Sequence, residues 1–387
     1  MTQSSGVKKD KVFFPNLDGL RFICFFVVFL FHCYKTIFQN IKKSSGYPYI
    51  ESLFQNGNLG VNFFFVLSGF LITFLLIREK EYKGTIHVRN FYIRRILRIW
   101  PLFYLCVAFG FLVFPYVKTL MGQHSEEVAH PVYYFFFANN FDFMHSWPIV
   151  PDALVLSVLW SVAVEEQFYL SWPVILKFTP IKFCKWIFVA IIAFTLVFRS
   201  FFTGDNDHDY AIRYFHTFSV IGDMAFGGLL AYYCSYESKF LQIIRNLPKW
   251  LIAFIYAAAI FIFIFKKQIF HTPGLIVIER LVISTFFGLI ILEQNYSRNS
   301  FFKFSNFKLV SKLGIYTYGL YCLHFIGILV VQTIAQKTGW DLHSFVMASL
   351  ASILALLVAI GVSITSYYVF EKRFLDLKDR FAFIVKK

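Results

Sequence analysis

The stretch Asn16–His32, NLDGLRFICFFVVFLFH, decides the fold, because it is a membrane-type apolar segment that also carries charge. Asp18 and Arg21 stand at its head, apolar residues fill positions 22–31, and His32 follows. A helix converts the eleven steps from Arg21 to His32 into about 16 Å of rise and nearly a whole number of turns, so both lie on one face. Ionisable groups inside a membrane usually face the bundle interior and mark a pathway or a site. An interfacial arginine and a histidine bonded to a neighbouring helix would explain the stretch equally well.

The whole chain is as apolar as this stretch. Of its 387 residues, 58% are hydrophobic and 15% charged, and the mean hydropathy is +0.61. A soluble domain does not have this composition, so most of the chain must be solvated by lipid or by its own helices. The net charge of +15 is explained by Lys and Arg gathered in loops on one side of a membrane, and no nucleic-acid partner is expected. The six cysteines lack paired spacing, so we expect no disulfide framework and no metal site.

Ten segments are long and apolar enough to span a membrane, which takes about 20 residues. We therefore predict an all-α polytopic membrane protein, with about ten transmembrane helices forming one domain over residues 1–387. The segment 131–143 is too short and interrupted to span, and we interpret it as an interfacial or re-entrant piece. The predicted spans are 17–38, 59–77, 99–117, 155–177, 184–202, 212–233, 249–265, 274–293, 313–335 and 344–369.

The distribution of basic residues predicts the orientation. Lys and Arg concentrate at the N-terminus, in the connections predicted to lie on the same side of the membrane, and in the C-terminal tail. The connections on the opposite side have few. Basic loops stay in the cytoplasm, and an even number of spans returns the chain to its starting side. We therefore predict that both termini are cytoplasmic.

The connection after the second span ends in RRILRIWP, residues 94–101. Arg95 and Arg98 are three residues apart, so a helix places their guanidinium groups on one face at the cytoplasmic entrance. Arginine side chains suit phosphate oxygens because they carry a permanent charge and bind in a bidentate way. A basic loop beside anionic lipid headgroups would show the same spacing, and spacing alone favours that interpretation.

The fourth span carries two adjacent carboxylates, Glu165 and Glu166, roughly 14 Å from its external end at helical rise. Adjacent side chains on a helix point in different directions, so at most one of the two is expected to face a given site. A hydrogen bond to a neighbouring Arg or His would account for one of these glutamates more easily than for both. In the second span, the small residues Gly60, Ser68 and Gly69 favour close helix packing over a role in a site.

Further ionisable residues lie inside other predicted spans. His324 lies about eleven residues from the cytoplasmic end of the ninth span, at a depth comparable to that of His32. A histidine and a glutamate in mid-membrane above a cytoplasmic arginine cluster resemble a transfer site fed from inside and open to the outside. Interhelical salt bridges are the favoured explanation for four other residues, which are Arg213, Asp223, Glu279 and Arg280.

Together these motifs resemble the integral membrane acyltransferase 3 family, which includes bacterial polysaccharide O-acetyltransferases. The resemblance covers nearly the whole chain, and its specificity comes from six motifs in the right order and spacing rather than from any single one. The motifs are Asp18–Arg21 with His32 after ten intervening residues, Gly60–Ile72, Arg95–Arg98, Trp160–Tyr169, Tyr318–His324 and Phe370–Phe374.

The resemblance implies transfer of an acyl group, usually acetyl, from cytosolic acyl-CoA to a carbohydrate hydroxyl at the external face of a bacterial inner membrane. His32 would be the catalytic histidine, as a general base or a transient acyl carrier, and Glu165 or Glu166 would orient its imidazole or hold the acceptor. Among the remaining residues, Arg21, Arg95 and Arg98 would bind CoA, Asp18 would position Arg21, and Ser68, Trp160, Ser161 and His324 would complete the site.

Many relatives carry an external hydrolase-like domain that finishes the transfer. No such domain follows residue 387 of this sequence, so the resemblance implies a stand-alone form. Such a form would act directly on its acceptor or through a separate extracytoplasmic partner.

Two other functions fit the same polar residues. A transporter or flippase for a lipid-linked saccharide would use them to line a path, but we find no internal repeat or matched pair of broken helices, which such proteins often show. A polytopic scaffold would use them as interhelical salt bridges, and the mid-membrane concentration of charge argues against it. A transporter would move unchanged substrate without CoA, whereas the enzyme requires acyl transfer and depends on His32.

Overall fold

The computed structural model describes residues 14–42, 47–120 and 122–381, and this part of the chain is helical, with no strand. Ten of its helices have 20 or more residues. Their bounds are α1 Pro15–Lys35, α2 Leu59–Lys83, α3 Val88–Ala108, α4 Leu159–Phe178, α5 Ile181–Ser200, α6 Thr217–Tyr236, α7 Lys249–Ile269, α8 Pro273–Tyr296, α9 Thr317–Thr338 and α10 Phe345–Ser366.

Two of the long helices continue beyond a π-helical turn. α3 passes through Phe109–Val113 into Phe114–Leu120, and α10 passes through Tyr367–Glu371 into Lys372–Asp379. Shorter helices lie between the long ones. They are Ile37–Ile41, Tyr47–Phe54, Pro131–Phe135, Asn139–Ser146, Leu154–Ser157, Asp207–Phe215, Ser238–Arg245, Phe304–Asn306 and Lys308–Gly314.

The prediction of an all-α polytopic membrane protein is confirmed. Within the described ranges, eight helices are long and apolar enough to cross a membrane by length and composition. They correspond to eight of the ten predicted spans. The other two predicted spans correspond to α4 and α6, which have 20 residues each, are not among these eight, and carry ionisable side chains such as Glu165 and Asp223. Both pack against several other helices, so their polar side chains meet protein rather than lipid.

Some boundaries differ from the prediction for identifiable reasons. α3 begins at Val88, eleven residues before the predicted start, so Arg94, Arg95 and Arg98 belong to this helix itself. α6 begins at Thr217, because extended backbone at His216 separates it from the preceding short helix.

The segment 131–143 does not span, as predicted. It forms Pro131–Phe135 and the start of Asn139–Ser146, joined through Phe137, whose φ of 52° is uncommon for a bulky residue. The Phe137 ring stacks on Phe103 of α3 with centroids 4.3 Å apart. This contact packs the segment against a long helix, and the choice between an interfacial and a re-entrant piece stays a prediction.

The two ends of the described chain lie at the same end of the bundle. The Phe14 ring contacts Phe74 near the end of α2, with centroids 5.4 Å apart. At the other terminus, Arg94 of α3 donates a 2.8 Å hydrogen bond to the carbonyl of Phe381. Arg94 also binds Glu79 of α2 at 3.2 Å, so both contacts belong to one end. This arrangement agrees with an even number of crossings, while the cytoplasmic orientation stays a prediction.

The favoured interhelical salt bridges are found for three of the four residues named above, whereas Arg213 binds backbone carbonyls instead. Asp223 is paired with Arg280. Glu279 binds Lys266 at 2.8 Å, and Arg213 donates to two backbone carbonyls. Each polar group is satisfied within the protein, as the membrane interior requires.

Glycines allow α2 and α6 to approach closely. A Cβ atom placed on Gly69 would lie 1.9 Å from the carbonyl oxygen of Met224, and one on Gly227 would lie 2.0 Å from that of Val66. Both contacts are with backbone, which cannot move aside as a flexible side chain can. The packing role predicted for Gly69 fits this geometry, because only glycine allows this separation.

We expect Gly69→Ala to destabilise the protein, because the added methyl group must push α2 and α6 apart. The apparent melting temperature in detergent, followed by fluorescence-detected size exclusion, should fall by several degrees. Gly361→Ala in α10 is the matched control, since nothing lies within 4 Å of a Cβ there, and it should melt at or above the wild-type temperature. Equal melting of the two variants would contradict the packing role.

Candidate active site

Two histidines from distant parts of the sequence meet between α1 and α9. Nδ1 of His32 lies 2.8 Å from Nε2 of His324, and the two rings stack with centroids 4.8 Å apart. His324 is completely buried, whereas His32 is half-buried. The similar depth predicted for these residues is confirmed by their direct contact.

The hydrogen-bond partners assign the proton positions in the neutral pair. Nδ1 of His324 lies 2.8 Å from the carbonyl oxygen of Tyr321, which can only accept, so this nitrogen carries the proton. Nε2 of His324 then has a lone pair and accepts from Nδ1–H of His32. Nε2 of His32 is left unprotonated and has no hydrogen-bond partner among the described residues. A histidine in this tautomer can accept a proton or attack a carbonyl carbon through Nε2.

Phenylalanine rings hold the pair in place. Phe25 and Phe29 of α1 meet His324 edge to face, with centroids 5.9 Å and 6.3 Å apart. Phe325 lies 4.6 Å from the His32 centroid and 4.7 Å from that of His324. This apolar packing keeps water away from the imidazoles and restricts their rotation.

The two glutamates of α4 point in different directions, as predicted. Glu165 accepts a 2.7 Å hydrogen bond from Ser68 of α2 and a 3.2 Å bond from Tyr169, one turn further along α4. Glu166 accepts a 2.8 Å bond from the indole nitrogen of Trp100 in α3. Ser68 is therefore a polar partner of Glu165 and not only a small residue at a helix contact.

The structure corrects one of the two roles suggested for these glutamates. Among the described residues, neither carboxylate hydrogen-bonds to a histidine, and His324 is the group that orients His32. The sequence could not distinguish these partners because Glu165 and His324 lie at similar predicted depths. Holding the acceptor remains a prediction for Glu165 and Glu166.

Arginine side chains gather near the start of α1 and α3. Arg21 forms a 2.7 Å salt bridge with Asp18, which agrees with the positioning role expected of Asp18. Arg98 is close enough to Arg21, Arg95 and Lys378 to repel them electrostatically. Arg95 lies over the rings of Phe91 and Tyr169, and Glu166 is close enough to attract it without forming a salt bridge. Its Nε atom is buried and has no hydrogen-bond partner among the described residues.

This arginine cluster, defined as Arg21, Arg95 and Arg98, fits an anionic ligand. Arg94 is different, because Glu79 and the carbonyl of Phe381 already bind it. A buried guanidinium without a hydrogen-bond acceptor is costly, and like charges in proximity add to that cost. A phosphate group bound here would supply acceptors and neutralise the repulsion.

Trp160 and Ser161 lie in the first turn of α4. The Ser161 hydroxyl shares a 2.7 Å hydrogen bond with the Tyr321 hydroxyl, and the Tyr321 backbone carbonyl binds His324. The Trp160 ring packs on Tyr214 and Phe215, with centroids 5.1 Å and 5.0 Å apart. Ser161 is thus linked to the pair through one residue, whereas Trp160 belongs to an aromatic cluster.

Three contributors were not singled out from the sequence. Tyr321 links Ser161 to His324, Tyr169 supports Glu165, and Lys378 adds a cation beside Arg95 and Arg98. Tyr169 could have been found, because it lies four residues after Glu165 and so shares its helix face. Lys378 comes from the helix after the last span, and no local spacing connects it to α3.

Comparisons with known proteins identify relatives of this chain. The O-acetyltransferase OatA of Staphylococcus aureus is 31% identical over 232 residues, which is 57% of this chain and 34% of that protein. The peptidoglycan O-acetyltransferase OatA of Listeria monocytogenes is 31% identical over 183 residues, or 46% of this chain and 26% of that protein. The matches thus cover about a third or less of each relative. No solved structure matches the chain significantly.

The acyltransferase domain of the acyltransferase 3 family matches residues 14–368, from the start of α1 to the π-helical turn after α10. This range contains both histidines, both glutamates and the arginine cluster. The chain therefore belongs to the acyltransferase 3 family.

Proposed function

We propose that this protein transfers an acyl group, normally acetyl, from cytosolic acyl-CoA to a hydroxyl of a cell-envelope carbohydrate such as O-antigen, capsule or exopolysaccharide. The observation that carries the proposal is the His32–His324 pair, which leaves Nε2 of His32 free inside the membrane-spanning bundle. The names of the two relatives support O-acetylation, and the name of the Listeria monocytogenes relative specifies peptidoglycan. The enzyme would act in the bacterial cytoplasmic membrane.

The arginine cluster is the proposed donor site. Arg21 and His32 share one helix, and their spacing corresponds to about 16 Å along its axis. The phosphates of acyl-CoA would bind the cluster, and the slender pantetheine arm would extend toward His32. This arrangement keeps the anionic part of the donor outside the membrane interior, where a charge is costly.

Nε2 of His32 is the proposed reactive atom. As a general base, it would take the proton of the acceptor hydroxyl while the hydroxyl oxygen attacks the thioester carbonyl; the C–S bond breaks, and the same proton passes from Nε2 to the departing thiolate. As an acyl carrier, it would form an N–C bond as the C–S bond breaks and CoA leaves as a thiolate. The acceptor hydroxyl would later attack the acyl carbon, the N–C bond would break, and the released hydroxyl proton would balance the thiolate. Both routes use the same lone pair, which the bond to His324 exposes. The final acceptor would be reached directly or through a separate extracytoplasmic partner.

If the proposed function is right, transfer of the acetyl group to a saccharide must depend on His32. Membranes containing the wild type should transfer label from radioactive acetyl-CoA to a saccharide, and His32→Ala should reduce this by about 10²–10⁴-fold, the usual contribution of a general base. The glycan and lipid fractions are extracted and counted at equal protein level. Undiminished label in the variant would remove His32 from the chemistry.

His324 should act as a positioning residue through its acceptor nitrogen. His324→Phe keeps a ring of similar size but removes the acceptor, so we expect a fall in kcat of about 10²-fold with little change in the KM for acetyl-CoA. His324→Gln offers a side-chain oxygen that can accept from Nδ1–H of His32 and should recover part of the loss. If the two variants were equally impaired at equal melting temperature, the hydrogen bond would not be what His324 contributes.

If the arginine cluster binds the donor, replacing its arginines should weaken donor binding. Arg95→Gln and Arg98→Gln should each raise the KM for acetyl-CoA about tenfold, because a charged hydrogen bond to phosphate is lost. Raising the salt concentration should weaken donor binding of the wild type in the same direction. Arg89→Gln, on an exposed position of the same helix, is the matched control and should leave KM unchanged. Equal KM in all four proteins would contradict the assignment.

A further inference from the structure

The aromatic ring of Phe325 lies between the histidine pair and a cavity. It packs on both imidazoles, with centroid separations of 4.6 Å from His32 and 4.7 Å from His324. The same side chain lines a cavity of about 50 Å³ between α9 and the end of α3. Phe325 therefore separates this cavity from the candidate active site.

The cavity is predominantly apolar. Asp152 reaches its lining, but Lys118 and Ser125 already bind the Asp152 carboxylate, at 2.7 Å and 2.9 Å. Apolar cavities of this kind hold small apolar groups rather than ordered water. The apolar lining comes mainly from Phe109, Phe114, Val155, Phe325, Ile328 and Leu329.

We propose that Phe325 is the wall that limits the acyl chain, and that the cavity behind it would accept the additional methylenes of a longer donor if this wall were removed. The inference rests on the proposed function, because it assumes an acyl group at Nε2 of His32. It adds a specificity-determining residue and an acyl-chain subsite to that function. The chemistry is the same for every donor, since thioester cleavage and ester formation occur at the carbonyl carbon.

The argument is steric. A reacting carbonyl carbon must lie about 3–3.5 Å from the atom that attacks or assists it, here near Nε2 of His32. The Phe325 ring lies against that imidazole and therefore bounds the space around the acyl group. An acetyl group adds one methyl to the carbonyl carbon, whereas a butyryl group adds two further methylenes that need apolar room. The cavity offers such room, and Phe325, which contacts both imidazoles, also lines it.

The test compares label transfer from acetyl-CoA and from butyryl-CoA in membranes containing each variant. The wild type should prefer acetyl, and Phe325→Ala should raise the butyryl-to-acetyl ratio about tenfold, which is the effect of burying two methylenes. Phe325→Leu removes less volume, preserves more of the packing, and should raise the ratio by a smaller factor. It keeps the test informative if the alanine variant does not fold.

Phe114→Ala is the matched control, because it removes the same side chain from another wall of the cavity and leaves Phe325 in place. Its ratio should equal that of the wild type. An unchanged ratio in folded Phe325 variants, or an equal rise in Phe114→Ala, would overturn the inference. A higher KM for the saccharide with an unchanged ratio would also overturn it and would make the cavity an acceptor entrance. Wild-type membranes that transfer neither group would instead overturn the proposed function itself.

Discussion

The hydrogen bond between His32 and His324 is the interaction on which the rest of the site depends. It joins the first long helix to the ninth, and it links two polar rings that would otherwise be unsatisfied inside a membrane-spanning bundle. The donor and the acceptor of this bond follow from the Tyr321 carbonyl, which can only accept. Nδ1 of His324 must therefore carry its proton, and Nε2 of His324 accepts from His32. The chain of donors and acceptors that starts there ends at Nε2 of His32, with a free lone pair. A reactive nitrogen is thus produced without a charged partner, which suits an apolar environment.

Satisfied and unsatisfied charges have different roles in this protein. Asp223 with Arg280 and Glu279 with Lys266 form closed pairs that connect helices, and they need no ligand to explain them. Arg95 has a buried Nε atom with no hydrogen-bond partner among the described residues, and it lies near other cations as well as Glu166, with which it forms no salt bridge. The closed ion pairs therefore hold the bundle together, whereas the arginine cluster is a candidate binding site for an anion. The His32–His324 pair lies between these extremes, because three of its four ring nitrogens are hydrogen-bonded and only Nε2 of His32 is left free.

Much of the architecture could be predicted from local sequence, because hydropathy and helical spacing are local properties. The spans, the shared face of Arg21 and His32, and the divergence of Glu165 and Glu166 follow from them. The pairing of His32 with His324 does not, because these residues are 292 positions apart and only tertiary packing brings them together. The same reason explains the expectation that a glutamate would orient His32, since depth alone cannot distinguish two polar groups on different helices.

The sidedness of the reaction tests most directly the claim that the acyl group passes through the bundle at His32. Sealed vesicles of both orientations would be given radiolabelled acetyl-CoA on the outside only, and the saccharide would be extracted and counted. Inverted vesicles, whose cytoplasmic face is outward, should produce labelled saccharide that an external esterase cannot reach until the membrane is permeabilised. Right-side-out vesicles should produce none. Equal labelling in both orientations, or product accessible on the donor's side, would contradict transfer across the membrane at this site.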